Sequence, residues 1–206
     1  MIAIIDYGLG NIQAFVNIYK RLHIPVSIAG SVEDLACADK IILPGVGSFD
    51  WAMTKLNDSG MCACLDDLVL NKGCPVLGIC VGMQMMAKHS EEGDLPGLGW
   101  LDAEVKKFSN TSPKGNRMIL PHMGWNNVKP GKTNCLFKDM AEDARFYFLH
   151  SYYFLPARED NVLAVTEYDG FLFASSVRTE NIFGVQFHPE KSHRWGINLL
   201  KNFAEL

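Results

Sequence analysis

The chain has 206 residues, a formal net charge of -4 and 48% hydrophobic residues, so it is long enough to fold around a sizeable core without disulfide staples. That balance offers no basic patch for nucleic acid and no polybasic segment for a membrane surface, which leaves small molecules and proteins as partners. The opening MIAIIDYGLGN has too short an apolar run, and no basic lead, for a signal peptide. It reads as a first buried strand, and the expectation is a cytoplasmic chain.

Residues 1–5 form that strand, and Asp6 to Asn11 turn into a helix whose apolar face is Ile12, Phe15, Val16, Tyr19 and Leu22, with Asn11 as N-cap. The turn imitates a dinucleotide fingerprint, but Gln13 stands where the third glycine belongs and no acidic residue follows a second strand at the expected distance. A short strand over 25–29 follows, then a short helix opened by Ser31 with Asp34 three residues on, then a buried strand over 40–43. The order β-α-β-α-β argues for a parallel sheet with helices on both faces.

The third strand runs into Pro44-Gly45-Val46-Gly47-Ser48-Phe49. A plain turn accounts for such a loop, and so does close approach of backbone N–H groups to a ligand. A helical stretch over 50–71, with Trp51, Leu56, Leu65, Leu68 and Val69 in the core, is stopped by Gly73 and Pro75. Next comes PVLGICVGMQMM over 75–86, an apolar strand leading into G-x-C-x-G and straight on into a helix. Small residues around Cys80 suit a sharp turn that presents the thiol at the strand's C-terminal end, beside a helix N-terminus and its unpaired N–H groups. A buried structural cysteine between incidental glycines fits the same five residues. The other cysteines, at 37, 62, 64, 74 and 135, lack metal spacing, so neither a metal nor a cofactor is expected.

From Trp100 the texture changes to short period-two or aromatic-rich segments, over 101–108, 118–128, 146–154, Val162–Tyr168, 171–177 and 182–187, with a polar loop over 106–117 and a hairpin turn at Asp169-Gly170. A closing helix over 192–206 buries Trp195, Leu199, Leu200 and Phe203. The last strand leads into His188-Pro189-Glu190, where an imidazole and a carboxylate two residues apart leave an extended segment on one face. A surface turn explains H-P-E by itself. A thiol elbow, a Gly-rich loop and H-P-E, all at strand ends, together describe a nucleophile, oxyanion donors and a base with its orienting group. With no repeat and no long linker, residues 1–206 are expected to form one α/β domain, with a mostly parallel central sheet flanked by helices and an antiparallel second half.

GICVGMQ around Cys80, QFHPE at 186–190 and PGVGSF at 44–49 resemble the class I glutamine amidotransferases. DYGLGN, HMGWN at 122–126 and FYFLHSYYF at 146–154 are similar to the amidotransferase subunits of imidazole glycerol phosphate synthases, and the likeness runs the length of the chain. The resemblance implies a flavodoxin-like glutamine amidotransferase fold, Cys80 as nucleophile, His188 as acid and base, and Glu190 as its orienting partner. It implies an oxyanion hole from the backbone around Val46 and Gly47 and the N–H of Val81, which stands where leucine is common. Glutamine binding falls to Gly47, Gln84, His150, Ser151 and Tyr152. Asn11, Trp125, Tyr147 and Lys191 match positions facing a (β/α)8-barrel cyclase that receives ammonia in a heterodimer. A synthase modifying surface-polysaccharide sugars is the alternative partner, and a cysteine peptidase or an idle regulatory subunit are the competing readings of the fold.

Overall fold

Three apolar segments of the first half, over 2–5, 41–45 and 76–80, are strands buried on both faces, as in a parallel sheet covered by helices. In the computed structural model, which describes residues 1–131, 135–141 and 143–206, β1 (Ile2–Ile5) lies between β2 (Val26–Ala29) and β3 (Lys40–Gly45), parallel to both. Helix α1 (Ile12–Arg21) is capped by Asn11, whose side chain accepts from the Ala14 N–H, and buries Phe15, Val16 and Tyr19. The short α2 (Val32–Leu35) begins with the expected Ser31–Asp34 capping box.

The helical stretch expected over 50–71 is broken. Helix α3 (Phe49–Asp58) ends at Ser59, whose hydroxyl donates to the Leu56 carbonyl, and Gly60 turns the chain with φ 71°. Helix α4 (Cys62–Asp66) and a π turn (Asp67–Asn71) follow. Trp51 is 51% exposed, contrary to expectation, because Phe49, Ala52, Met53 and Leu56 make the buried face of α3. Its ring lies under the Lys55 ammonium instead, 4.7 Å away.

Strand β4 (Val76–Cys80) pairs parallel with β3, and α5 (Val81–Met85) starts at the next residue. Two short strands, β5 (His89–Ser90) and β6 (Ala103–Lys107), pair parallel, so the first residues expected in the 106–117 loop belong to β6. Strand β7 (His122–Asn127) pairs antiparallel with β9 (Arg145–His150) in a sheet of its own, while β8 (Lys129–Pro130) joins the main sheet through β11 (Val162–Tyr168). The segment expected over 146–154 is two strands: after Ser151 the chain leaves β9 and enters the main sheet as β10 (Tyr152–Pro156), antiparallel to β6. Strands β11 and β12 (Phe171–Thr179) form a hairpin over Asp169-Gly170, whose φ values of 48° and 84° are those of the expected tight turn.

Strand β13 (Ile182–Val185) closes the design. It runs antiparallel to β12 and parallel to β4, and so joins the parallel half to the antiparallel half. The path through the large sheet among the described residues is β2-β1-β3-β4-β13-β12-β10-β6-β5. A 3-10 turn (Pro189–Lys191) leads to α6 (His193–Ala204), which buries Leu199, Leu200 and Phe203. Trp195 is half-buried rather than in the core, with the Arg194 guanidinium 4.3 Å over its ring.

Gly82 shows how closely α5 is seated. Helix propensity alone favours alanine there by about 1 kcal/mol, but an added Cβ would collide with the Leu43 carbonyl oxygen, a backbone atom that cannot swing aside. The contact outweighs the propensity. Gly82→Ala is expected to destabilise the fold by about 1–3 kcal/mol in urea unfolding, and a variant as stable as the parent would contradict this seating.

Candidate active site

Four elements meet around Cys80. The residue has φ 55° and ψ -112°, a left-handed conformation that side chains avoid, and α5 begins immediately after it. The flanking glycines act by their lack of volume rather than by unusual angles. A Cβ on Gly78 would lie 2.6 Å from the Met86 methyl, and one on Gly45 would strike the Gly82 nitrogen. In the loop after β3 only Gly47 takes positive φ, at 88°. Register sets Gly45 beside Cys80, and the Tyr7 hydroxyl, buried at the end of β1, donates to the Pro44 carbonyl at 2.6 Å.

The thiol is 4% exposed. Its neighbours are the Leu149 carbonyl, 3.9 Å away as acceptor, and Gln186 Nε2, a donor at 3.8 Å. His188, three residues beyond the end of β13, hydrogen-bonds Cys80 on one side, and its Nδ1 is 2.9 Å from Glu190 Oε1 on the other. The imidazole and carboxylate are 4% and 3% exposed, and the second carboxylate oxygen has no hydrogen-bond partner among the described residues. Burial opposes a charge on His188, but the hydrogen bonds and charges of Cys80 and Glu190 outweigh it and raise its pKa to about 10. Thus Cys80, from one stretch of sequence, and His188 and Glu190, from another, lie in one line of contacts.

A cavity of about 210 Å³ opens beside the thiol, a size suited to an amino acid rather than a polymer. Of the residues expected to bind substrate or its oxyanion, Gly47, Val81, Gln84, His150, Ser151 and Tyr152 line it. Val46 does not; it is 38% exposed at the loop's tip. Gln84 is buried, and its amide nitrogen is committed inward, to the Tyr152 carbonyl at 3.3 Å and Gln186 Oε1 at 3.0 Å. Glu92 also lines the cavity and escaped the sequence reading because it stands in a loop without a motif. Its carboxylate accepts the Phe49 N–H at the start of α3. Burial, opposed by that bond and helped by Asp50, raises its pKa.

The residues expected at an interface divide. Trp125 and Tyr147 meet edge to face at 6.3 Å, and the Lys191 ammonium lies 5.7 Å over the Tyr147 ring. His193, which no sequence pattern marked, stacks on Trp125 at 5.2 Å and 11°. Asn11 is exposed and serves locally as the cap of α1. Ser192 was also missed. Its hydroxyl donates to the His188 carbonyl at 2.6 Å and accepts the Tyr147 N–H at 3.0 Å, while the His188 N–H reaches the Tyr147 carbonyl at 2.8 Å. Among the described residues no group of His, Cys, Asp and Glu could hold a metal ion, and no helix is long and apolar enough to cross a membrane.

Comparison with known proteins bears on the family and the fold. The family model for glutamine amidotransferase class-I matches residues 3–206. The imidazole glycerol phosphate synthase subunit HisH of Bdellovibrio bacteriovorus is 57% identical over 206 residues, all of both chains. The protein of the same name from Leptospira interrogans is 48% identical, and the HisH 2 subunit of Pseudomonas aeruginosa 45%, again over the full length of each. Among solved structures, PurLQS from Thermotoga maritima superposes with TM-score 0.74 at 15% identity, covering 99% of this chain and 97% of that one. A putative GMP synthase subunit from Thermoplasma acidophilum gives 0.72 at 20%, covering 99% and 92%. Likeness at such identity speaks to the fold alone, whereas the family match and the full-length relatives speak to descent: the chain belongs to the class I glutamine amidotransferase family.

Proposed function

We propose that this chain is the glutaminase subunit of an imidazole glycerol phosphate synthase, which releases ammonia from glutamine and passes it to a (β/α)8-barrel cyclase in histidine biosynthesis. The observation that carries the reading is the line from Cys80, on its strained turn, through His188 to Glu190, on the wall of a cavity sized for an amino acid. The names of the full-length relatives favour the cyclase over a sugar-modifying synthase as acceptor of the ammonia.

In this reading the proton of Cys80 already rests on His188, whose cation its two partners favour, and the sulfur attacks the side-chain carbonyl of glutamine as thiolate. The oxyanion falls to the Val81 N–H and to an N–H of the Val46-Gly47 loop. His188 protonates the departing nitrogen, ammonia leaves, and a γ-glutamyl thioester remains on the sulfur. The imidazole then takes a proton from water, whose oxygen displaces the sulfur as glutamate. Glu190 holds the ring and stabilises its cation throughout. Glu92, the acidic lining residue, suits the α-ammonium of the substrate.

Around the cavity, Val46, Met123, Trp125 and Leu149 are between 38% and 64% exposed. This apolar rim, with Tyr147, Lys191 and Asn11, supports docking of the barrel over the cavity mouth, where ammonia can pass without meeting bulk water. The loop bearing Gly47 can reorient an N–H at low steric cost, so docking would complete the oxyanion hole.

The decisive measurement is glutamate release by the chain alone, with the cyclase and its acceptor substrate, and with a sugar-modifying synthase and its own. Low activity alone and strong stimulation by the cyclase are expected, with Cys80→Ala lowering the stimulated rate by about 10⁴-fold or more. Stimulation by the sugar-modifying synthase alone would reassign the partner, and full activity of the isolated chain would remove the gating.

Two further outcomes follow from the charges. A histidine whose folded pKa is raised from 6.5 to about 10 contributes its stability in full below pH 6.5 and loses it as pH rises through about 10. Glu190→Gln removes one cause of the rise, so the His188 midpoint, followed by NMR, should move down, and the alkaline loss of stability should shrink. An unmoved midpoint would separate Glu190 from His188. Glu92→Gln should raise KM for glutamine by about tenfold with a much smaller change in kcat, and equal loss in both would place Glu92 outside substrate binding.

A further inference from the structure

Behind the cavity wall lies a second pair of imidazoles. His122 opens β7 directly after the cavity-lining Pro121, and its register partner on β9 is His150, itself a lining residue. Both are buried. The His122 ring is sandwiched between Phe148 and Tyr168, with centroids 4.7 and 4.0 Å away and interplanar angles of 22° and 25°.

The partners fix every proton in this cluster. The Tyr152 carbonyl can only accept, so His150 Nδ1, 2.7 Å from it, carries the hydrogen. A neutral His150 then offers Nε2 as acceptor, and His122 Nδ1, 3.0 Å away, must donate to it. His122 Nε2 is left to accept from Asn126 Nδ2 at 3.3 Å. The second Asn126 hydrogen goes to the Glu167 carbonyl at 2.9 Å, and its Oδ1 accepts the Asn127 N–H at 2.8 Å. A proton added to either ring sets two N–H groups against each other. Burial holds both rings neutral, pushing His122 down to about 4 and, with the charges of His122 and His188 added, His150 down to about 3. At the other end, the Tyr152 carbonyl also accepts from Gln84, which donates to Gln186, which points its amide at Cys80.

We propose that His122 is a positioning residue of the glutamine site, whose Nδ1–H, donated to His150, holds the wall of residues 149–152 in the shape that takes the substrate amide. The inference rests on the glutaminase reading above. Without that donor, His150 Nε2 is a buried acceptor with nothing to accept, and the ring gains by leaving the Tyr152 carbonyl. The wall loosens while Cys80 and His188 stay in contact.

The test uses the full chain with its cyclase. His122→Phe keeps a flat ring between Phe148 and Tyr168 but removes the donor; His122→Asn sets an amide N–H close to the place of Nδ1. The Phe variant should raise KM for glutamine by about tenfold with kcat changed by less than about threefold. It should slow labelling of Cys80 by a glutamine-shaped diazoketone about as much, while labelling by methyl methanethiosulfonate, which needs no amide pocket, changes by less than about twofold. The Asn variant should recover most of the loss. Unchanged KM and labelling in the Phe variant, equal slowing of both reagents, or an Asn variant as impaired as the Phe variant would each overturn the assignment. Should the Phe variant not fold, the Asn variant decides by itself, near-parent KM and labelling supporting the assignment and a tenfold loss overturning it. If the parent complex hydrolyses no glutamine and the diazoketone spares Cys80, the glutaminase reading falls and this inference with it; an active parent matched by the Phe variant overturns this inference alone.

Discussion

A cysteine with φ 55° and ψ -112° is an expensive element, costing of order 1–3 kcal/mol relative to a relaxed backbone, and the rest of the structure is arranged so that no cheaper conformation is open to it. Strand β4 is paired to β3 through Cys80 and to β13 through Ile79, so the residue entering the turn has little room to shift. Helix α5 lies so close to the sheet that Gly45, Gly78, Gly82 and Gly184 leave no room for a Cβ without displacing backbone, the Met83 side chain or the Met86 side chain. The strain is therefore held by packing, and its product is a thiol fixed at the open end of the parallel strands, where such sheets place their ligands.

Three buried histidines in and behind the wall of that site differ in charge for reasons that can be named. His188 has a carboxylate at 2.9 Å and a thiol as its second partner, so the cation is favoured despite burial. His122 and His150 have only each other, an amide and a carbonyl, so burial prevails and both stay neutral. One ring is thereby suited to move protons and two to hold shape. The same residue type serves opposite ends because a charge partner is supplied in one place and withheld in the other.

The aromatic sheet of β7 and β9 joins the cavity to the exposed surface. Tyr147 bonds through its backbone to His188 and Ser192 while its ring faces Trp125 and Lys191. Two residues on, the Leu149 carbonyl lies against the Cys80 sulfur. The docking surface proposed at Trp125 and Tyr147 thus shares a strand with the wall of the cavity, and movement of that strand would reach the Cys80 sulfur without any intermediate loop.

Local chemistry wrote much of this into the sequence. The apolar runs around β1, β3 and β4, the Ser31 cap, the Asp169-Gly170 turn and the thiol elbow depend on neighbours a few residues away, and each was legible. So was the placing of Cys80, His188 and Glu190 at or beyond strand ends, because a strand that ends between Gly78 and Gly82, and one that runs into His188-Pro189-Glu190, present side chains rather than pack them. What the sequence withheld depends on contacts between distant segments. The stretch over 146–154 reads as one strand because its alternation continues through Ser151; only the choice of partner, β7 before the bend and β6 after it, divides it. Trp51 and Trp195 look like core by composition and lie outside it because neighbouring residues already fill the buried faces of their helices. Glu92, Ser192 and the pairing of His122 with His150 have no local signature, since each depends on one contact across 28 or more residues of chain, and such distances are closed only when the sheet has formed.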